Sequence, residues 1–175
     1  RSVRPLLGGL TFAARSFTHQ EPDALDLLQE ALLRAFRAFD RFRPGTNFKA
    51  WLFSFLINKI FDSNKRFKKE LQQVNSSQGS NVVEHLEKEE AYISILENPS
   101  VFFERMDDRI KSALLALRPT ERMVFLLRSV EGFTYKEIAQ FLGLPIGTVM
   151  SHLFRSRARL RELLADYARE MGFVR

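Results

Sequence analysis

Trp51, Phe55, Asn58, Asp62, Lys65 and Lys69 follow one another at steps of four, three, four, three and four. On a helix this spacing puts all six on one stripe, aromatic at one end and basic at the other. Rings beside cations suit single-stranded nucleic acid, because bases stack on rings at about 1–3 kcal/mol each while phosphates meet the cations. Trp and Phe at helical spacing equally suit a buried core, and spacing alone leaves both readings open. A second group lies nearer the end of the chain. With Tyr135 as first position, Ala139 stands fifth, Gly143 ninth and Val149 fifteenth. They supply the small residue, the turn former and the apolar plug that two steeply crossing helices need, a helix-turn-helix pattern. Its second helix turns Val149, Leu153, Leu160 and Leu164 inward and Gly147, Ser151, Phe154, Arg155 and Ala158 outward. Polar, aromatic and basic side chains together suit a major groove. Arg155, Arg157, Arg159 and Arg161 alternate, so they spread round the helix and cannot all reach one groove.

The elements that must position these residues are helical, because apolar residues recur at three and four and no run alternates as a strand would. Leu6 to Phe17 reads as a first helix, weakened by Gly8-Gly9. About Asp23 to Phe39 forms a second, with Ala24, Leu27, Leu28, Ala31, Leu32, Ala35 and Phe39 on one stripe and Asp26, Gln29, Glu30, Leu33 and Arg37 on another. Arg43-Pro44-Gly45 is a turn, and Asn47 caps a third helix that runs to about Lys69. Gln72 to Asn81 is polar, rich in Ser, Asn and Gln, and without period, which marks a linker. Beyond it, helices are expected over about Phe102 to Leu117 and Thr120 to Val130. The paired helices follow: Thr134 and Glu137 form a capping box for the first, Gly143-Leu144-Pro145 ends it, and the second starts near Gly147-Thr148 and continues past Leu164. The expected fold is therefore all-α: two small helical domains, residues 1–70 and 101–175, joined by a flexible acidic linker over 71–100, with the helix-turn-helix in the second.

Apolar residues make up 45% of the 175, enough for real cores and too many for a disordered chain. Lys and Arg number 27 against 21 Asp and Glu, a net charge of +6, and the pI is near 9.9. Residues 1–70 carry +6, residues 71–104 carry −5 and residues 105–175 carry +5, so two basic blocks flank an acidic one. Such a balance favours polyanionic partners. With no Cys, there is no disulfide, thiolate metal site or Cys nucleophile. His19, His85 and His152 are scattered, and His152 has no second ligand at suitable spacing, so neither a metal nor a cofactor is expected. An enzyme is not expected either: the Gly8-Gly9 and Gly143/Gly147 pairs are not phosphate loops, and the adjacent Asp107 and Asp108 point apart on a helix. No apolar run reaches the roughly 18 residues of a membrane span, and Arg1-Ser2-Val3-Arg4-Pro5 is not followed by a signal core, which predicts a cytoplasmic protein without membrane insertion. The first residue is not Met, so the stretch is expected to begin inside a longer chain.

Four motifs, in this order and spacing, give the chain a family likeness: Asp26-Leu27-Leu28-Gln29-Glu30, Phe42-Arg43-Pro44-Gly45-Thr46-Asn47-Phe48-Lys49-Ala50-Trp51-Leu52, Tyr135-Lys136-Glu137-Ile138-Ala139 and Pro145-Ile146-Gly147-Thr148-Val149-Met150-Ser151. They resemble the extracytoplasmic-function (group IV) sigma factors of RNA polymerase, above all the actinobacterial oxidative and heat stress members. The resemblance covers nearly the whole chain, and the ordered set is more specific than any one motif.

The resemblance implies that the first domain binds core RNA polymerase at the clamp helices of its largest subunit and melts the −10 promoter element. It implies that the second domain docks near the flap of the second-largest subunit and reads the −35 element as a duplex. Asp26, Gln29, Glu30, Leu33 and Arg37 match the polymerase-binding positions. Asn58 matches the position that meets a flipped −10 base, with Asn47, Phe48, Lys49 and Trp51 around it. Lys65, Arg66, Lys68 and Lys69 are then phosphate contacts, or charges that serve a helix C-terminus. Ser151, Phe154 and Arg155 match base-reading positions, joined by Thr148 and by His152 beside a phosphate or at the surface, with Arg128, Tyr135 and Lys136 near the DNA backbone. Met150 and His152 stand where some members carry Arg, so the −35 sequence of those relatives cannot be carried over. Glu84, Glu87, Glu89, Glu90 and Glu97 would thread basic channels of the polymerase, or form a solvated tether. Control by an anti-sigma factor, a zinc-binding one in the nearest-looking members, is part of the same expectation. A helix-turn-helix regulator that binds duplex DNA without polymerase is the competing reading.

Overall fold

The computed structural model describes residues 3–74 and 107–172, and the acidic candidates Glu84, Glu87, Glu89, Glu90 and Glu97 lie outside them. In the first unit, α1 (Arg4–Arg15) and α2 (Glu21–Arg37) each begin with a proline in the first turn, where its missing N–H costs nothing. Acidic Glu21 and Asp23 open α2 and basic Arg34 and Arg37 close it, matching the helix dipole. The side chain of Asn47 accepts the Ala50 N–H at 3.1 Å and so starts α3 (Phe48–Ser63). Leu10, Ala14, Leu27, Ala31, Leu52, Phe53, Leu56, Ile57 and Ile60 fill the space among α1, α2 and α3.

Two expectations are corrected here. The long third helix is broken: Ser63 donates its hydroxyl back to the Lys59 carbonyl at 2.9 Å, Asn64 leaves helical geometry at φ −115° and ψ 89°, and α4 (Lys65–Val74) sets off separately. The step from Asp62 to Lys65 therefore crosses a joint. Phe39, expected on the buried stripe of α2, lies beyond that helix in the 3-10 turn Phe39–Arg41 and is 49% exposed.

In the second unit, Asp107 caps α5 (Asp108–Ala116) by accepting the Arg109 N–H at 2.8 Å. α6 (Pro119–Phe125) runs on as a π-helical turn, Leu126–Val130. α7 (Tyr135–Leu142) carries the full capping box between Thr134 and Glu137 and ends on Gly143 at φ 64°, a left-handed position that favours glycine. α8 (Ile146–Leu163) is followed by α9 (Ala165–Glu170) after a break at Leu164. Val149 and Leu153 of α8 are fully buried with Ile138, Met123, Leu126 and Leu127, the inward face that the spacing predicts. Among the described residues there is no strand and no helix long and apolar enough to cross a membrane.

The buried apolar residues of the two units form one continuous cluster. Phe53 of α3 meets Phe133, just before α7, edge to face at 5.3 Å. The Arg122 guanidinium, itself buried, donates to the carbonyls of Leu114, Leu115 and Leu117 in its own unit and to that of Ser16, at the end of α1, at 2.9 Å. On α4, Glu70 accepts the Thr120 N–H at 3.4 Å.

Candidate nucleic-acid interface

The outward side of α2 is built by default: the residues that do not face α1 and α3 face solvent. Asp26, Gln29, Glu30, Leu33 and Arg37 are all exposed, Leu33 at 48%. Glu30 also accepts from Lys59 of α3, which holds its carboxyl below the ordinary carboxylate range. Leu25, Phe36 and Phe39 are exposed on the same helix and the turn after it, Phe36 at 79%. A helix with this much exposed apolar surface beside charge is suited to dock another protein.

Beside the end of α2, Trp51 stands at the centre of a cluster of rings. Phe42 lies 5.2 Å from it, Phe55 4.9 Å, Phe48 5.8 Å and Phe39 6.2 Å, centroid to centroid. The rings are half-buried in one another, so the open choice between core and exposed platform resolves into a small aromatic cluster with a solvent side. Phe39 and Phe42 belong to it; Phe42 is in the motif run, but nothing in the spacing marks either ring as a partner of Trp51. Asn58 is exposed on α3, two turns beyond Trp51, and Lys65, Lys68 and Lys69 are exposed on α4. Arg66 falls on α4, its side chain outside the described residues.

Asn47, the cap of α3, and Lys49, in its first turn, are both engaged. Asn47 Nδ2 donates to Glu137 of α7 at 3.1 Å. The Lys49 ammonium pairs with the Glu131 carboxylate at 2.9 Å, donates to the Glu131 carbonyl at 2.7 Å, and sits 5.1 Å above the Phe133 ring. The Glu131 side chain is only 6% exposed. The Thr134 backbone N–H lowers the Glu137 pKa most, helped by the Thr134 hydroxyl, Asn47 and the nearby Lys49 charge against the cost of burial.

On the helix-turn-helix, Arg155 is exposed and Phe154 and Tyr135 are half-buried, while Lys136 is open to solvent. Arg128 stacks over Tyr135 at 4.8 Å and donates to the Phe133 carbonyl at 3.2 Å. Thr148, Ser151 and His152 depart from the outward placement expected of them, at 9%, 7% and 4% exposed. The Ser151 hydroxyl turns back to donate to the Gly147 carbonyl at 3.0 Å. Arg155 Nε donates to Glu121 of α6 at 3.0 Å, and its Nη2 lies 3.0 Å from His152 Nδ1. Burial, then the charges of Arg155 and Arg118, push the His152 pKa down to about 4, so the ring is neutral and accepts from the guanidinium. His152 is thus a partner of Arg155 rather than a surface or phosphate-facing residue in this arrangement. No group of three His, Cys, Asp or Glu among the described residues is placed to hold a metal.

Comparison with known proteins matches the two units separately. Residues 3–70 match the sigma-70 region 2 family and residues 107–160 the sigma-70 region 4 family. The ECF RNA polymerase sigma factor EcfG of Rhodopseudomonas palustris is 34% identical over 148 residues, 84% of this chain and 75% of that protein. The ECF sigma factor SigE of Mycolicibacterium smegmatis is 32% identical over 85% of this chain, which spans 54% of that longer protein. Among solved structures, the sigma factor RpoE of Bartonella quintana, in complex with the anti-sigma factor NepR, aligns with a TM-score of 0.64 at 28% identity, over 93% of this chain and 94% of that one. CnrH, in complex with the cytosolic domain of CnrY, aligns with a TM-score of 0.60 at 26% identity over 94% of this chain and 85% of that one.

Proposed function

Because this chain belongs to the extracytoplasmic-function sigma factors of the sigma-70 family, which direct core RNA polymerase to promoters, we propose a division of that work among its surfaces. The exposed side of α2, with Asp26, Gln29, Glu30, Leu33 and Arg37, docks on the largest-subunit clamp helices. Asn47 and the first turn of α3, the Trp51 ring cluster and Asn58 receive the melted −10 strand, and the cations of α4 take its phosphates. The capped helix-turn-helix reads the −35 duplex through Arg155 and Phe154, with Arg128, Tyr135 and Lys136 along the DNA backbone; Thr148, Ser151 and His152 join only once uncovered. The flap of the second-largest subunit is the remaining contact of this domain. An anti-sigma factor is the expected regulator in the cytoplasm, since a similar sigma factor was solved in complex with one. The observation that carries this reading is the pairing, in one chain, of an exposed protein-docking helix with a ring-and-cation strip and a helix-turn-helix.

The test is transcription by core RNA polymerase, with and without this protein, on sheared genomic DNA of the source organism. Discrete new start sites that need the protein are expected, and they supply both promoter elements. No association with polymerase, together with tight duplex binding by the chain alone, would favour the independent regulator.

A further inference from the structure

The base-reading candidates on α8 reduce to one exposed polar side chain. Thr148, Ser151 and His152 are buried, the Ser151 hydroxyl is turned onto the Gly147 carbonyl, and Phe154 is half-buried, which leaves Arg155 with its side chain 51% exposed. Its guanidinium is held along one edge. Nε donates to Glu121 Oε1 at 3.0 Å, and Nη2 lies 3.0 Å from His152 Nδ1. Both holders sit inside the unit, the Glu121 side chain at 10% exposure and His152 at 4%. A carboxylate of α6 thus takes the Nε–H, and a ring that burial keeps neutral, its pKa down at about 4, takes one Nη2 proton. The protons left over are both of those on Nη1 and the second on Nη2. They form the end-on fork of the guanidinium, which matches the O6 and N7 acceptors of guanine in a major groove.

We propose that Glu121 and His152 are positioning residues for −35 recognition: by holding the Nε/Nη2 edge of Arg155 they set its end-on fork against one guanine of the duplex, and without them the same arginine binds DNA as a plain cation. The proposal rests on the assignment of Arg155 to the −35 element given above. While buried, His152 serves the interface through Arg155. The difference between the two states of the arginine is one of kind. A held fork prefers one base, whereas a loose guanidinium finds a phosphate whatever the sequence. A neutral acceptor at 152 suits this task, because a second cation there would push the guanidinium away.

The experiment uses core RNA polymerase carrying the whole protein, and duplexes built on the −35 element that the transcription test supplies, each with one base pair changed. Arg155→Ala marks the base pair that Arg155 reads. Glu121→Met and His152→Leu remove the two holders at similar volume, and His152→Asn returns an acceptor to the place of Nδ1. Circular dichroism first establishes that each variant keeps its helical content. Glu121→Met and His152→Leu are each expected to lower discrimination at the marked base pair, and at no other, by about tenfold, the factor that 1.4 kcal/mol represents. His152→Asn should restore it. Replacing the guanine with 7-deazaguanine, which lacks N7, should weaken binding by the parent by about tenfold and by these two variants little. A variant that only loosens the fold weakens every duplex alike. Equal loss on every duplex, or full discrimination in both variants, would overturn the positioning. A marked base pair other than G·C would overturn the guanine fork. If Arg155→Ala changes discrimination nowhere, Arg155 leaves the reading set and the proposal falls with it, while the transcripts made with the parent protein still test the sigma-factor reading by themselves.

Discussion

At the scale of single residues, the structure turns several assignments into shared duties. Asn47 caps α3 with its oxygen and binds Glu137 with its nitrogen, so one amide serves both the helix and the contact between units. Arg155 is held by Glu121 and by a neutral His152, which together fix the direction of its guanidinium. Pre-aiming of this kind reduces the entropy that a flexible Arg would lose on binding. Arg155→Ala should weaken recognition of the −35 element by about 1–3 kcal/mol, the worth of a good bidentate base contact. Competition between promoters that differ only in the −35 element measures it, and unchanged competition would remove Arg155 from the reading set.

At the scale of elements, the signals legible in the chain were those that act over a few residues. Asn47, the Thr134–Glu137 box and Gly143 each satisfy or end a helix through a neighbour three or four positions away, and each does so as the sequence predicts. The break at Asn64 was not legible, because the apolar and basic pattern runs on through it; α4 is redirected by what it packs against, Thr120 and the rest of α6, about fifty residues later. The capping box offers a direct check. Thr134→Ala removes one half of it and should cost about 1 kcal/mol, typical of a lost Ser or Thr cap. Thermal unfolding followed by circular dichroism would show the lower midpoint, and an unchanged midpoint would mean that packing alone holds the start of α7.

At the scale of the whole molecule, the two basic units are expected to repel, yet they share one core in this arrangement. Their contact combines an apolar pair, Phe53 with Phe133, with a poorly exposed ion pair, Lys49 with Glu131, and a buried cation, Arg122, on the Ser16 carbonyl. Buried pairs are screened much less than exposed ones, while repulsion between exposed charges fades beyond about 10 Å at 0.1 M salt. The closed form should therefore persist, or tighten, between about 0.1 M and about 0.5 M salt. Small-angle scattering gives the answer as a radius of gyration, and an expansion with salt would mean that exposed ion pairs hold the units together.

Residue types and spacing by themselves determined the helical class, the inward face of α8, the caps of α3 and α7, and, through the order of four motifs, the family. These are properties of neighbours along the chain or of a motif, and the information lies within a short window. Tertiary structure alone decided that Phe39 leaves its helix for the Trp51 cluster, that His152 is buried and neutral beside Arg155, and that Glu131 and Glu137 close on Lys49 and Asn47. Each of these depends on burial or on a partner from another element, 82 and 90 positions away for the last two pairs. A carboxylate in a sequence has no stated partner until the fold brings a cation to it and takes the water away.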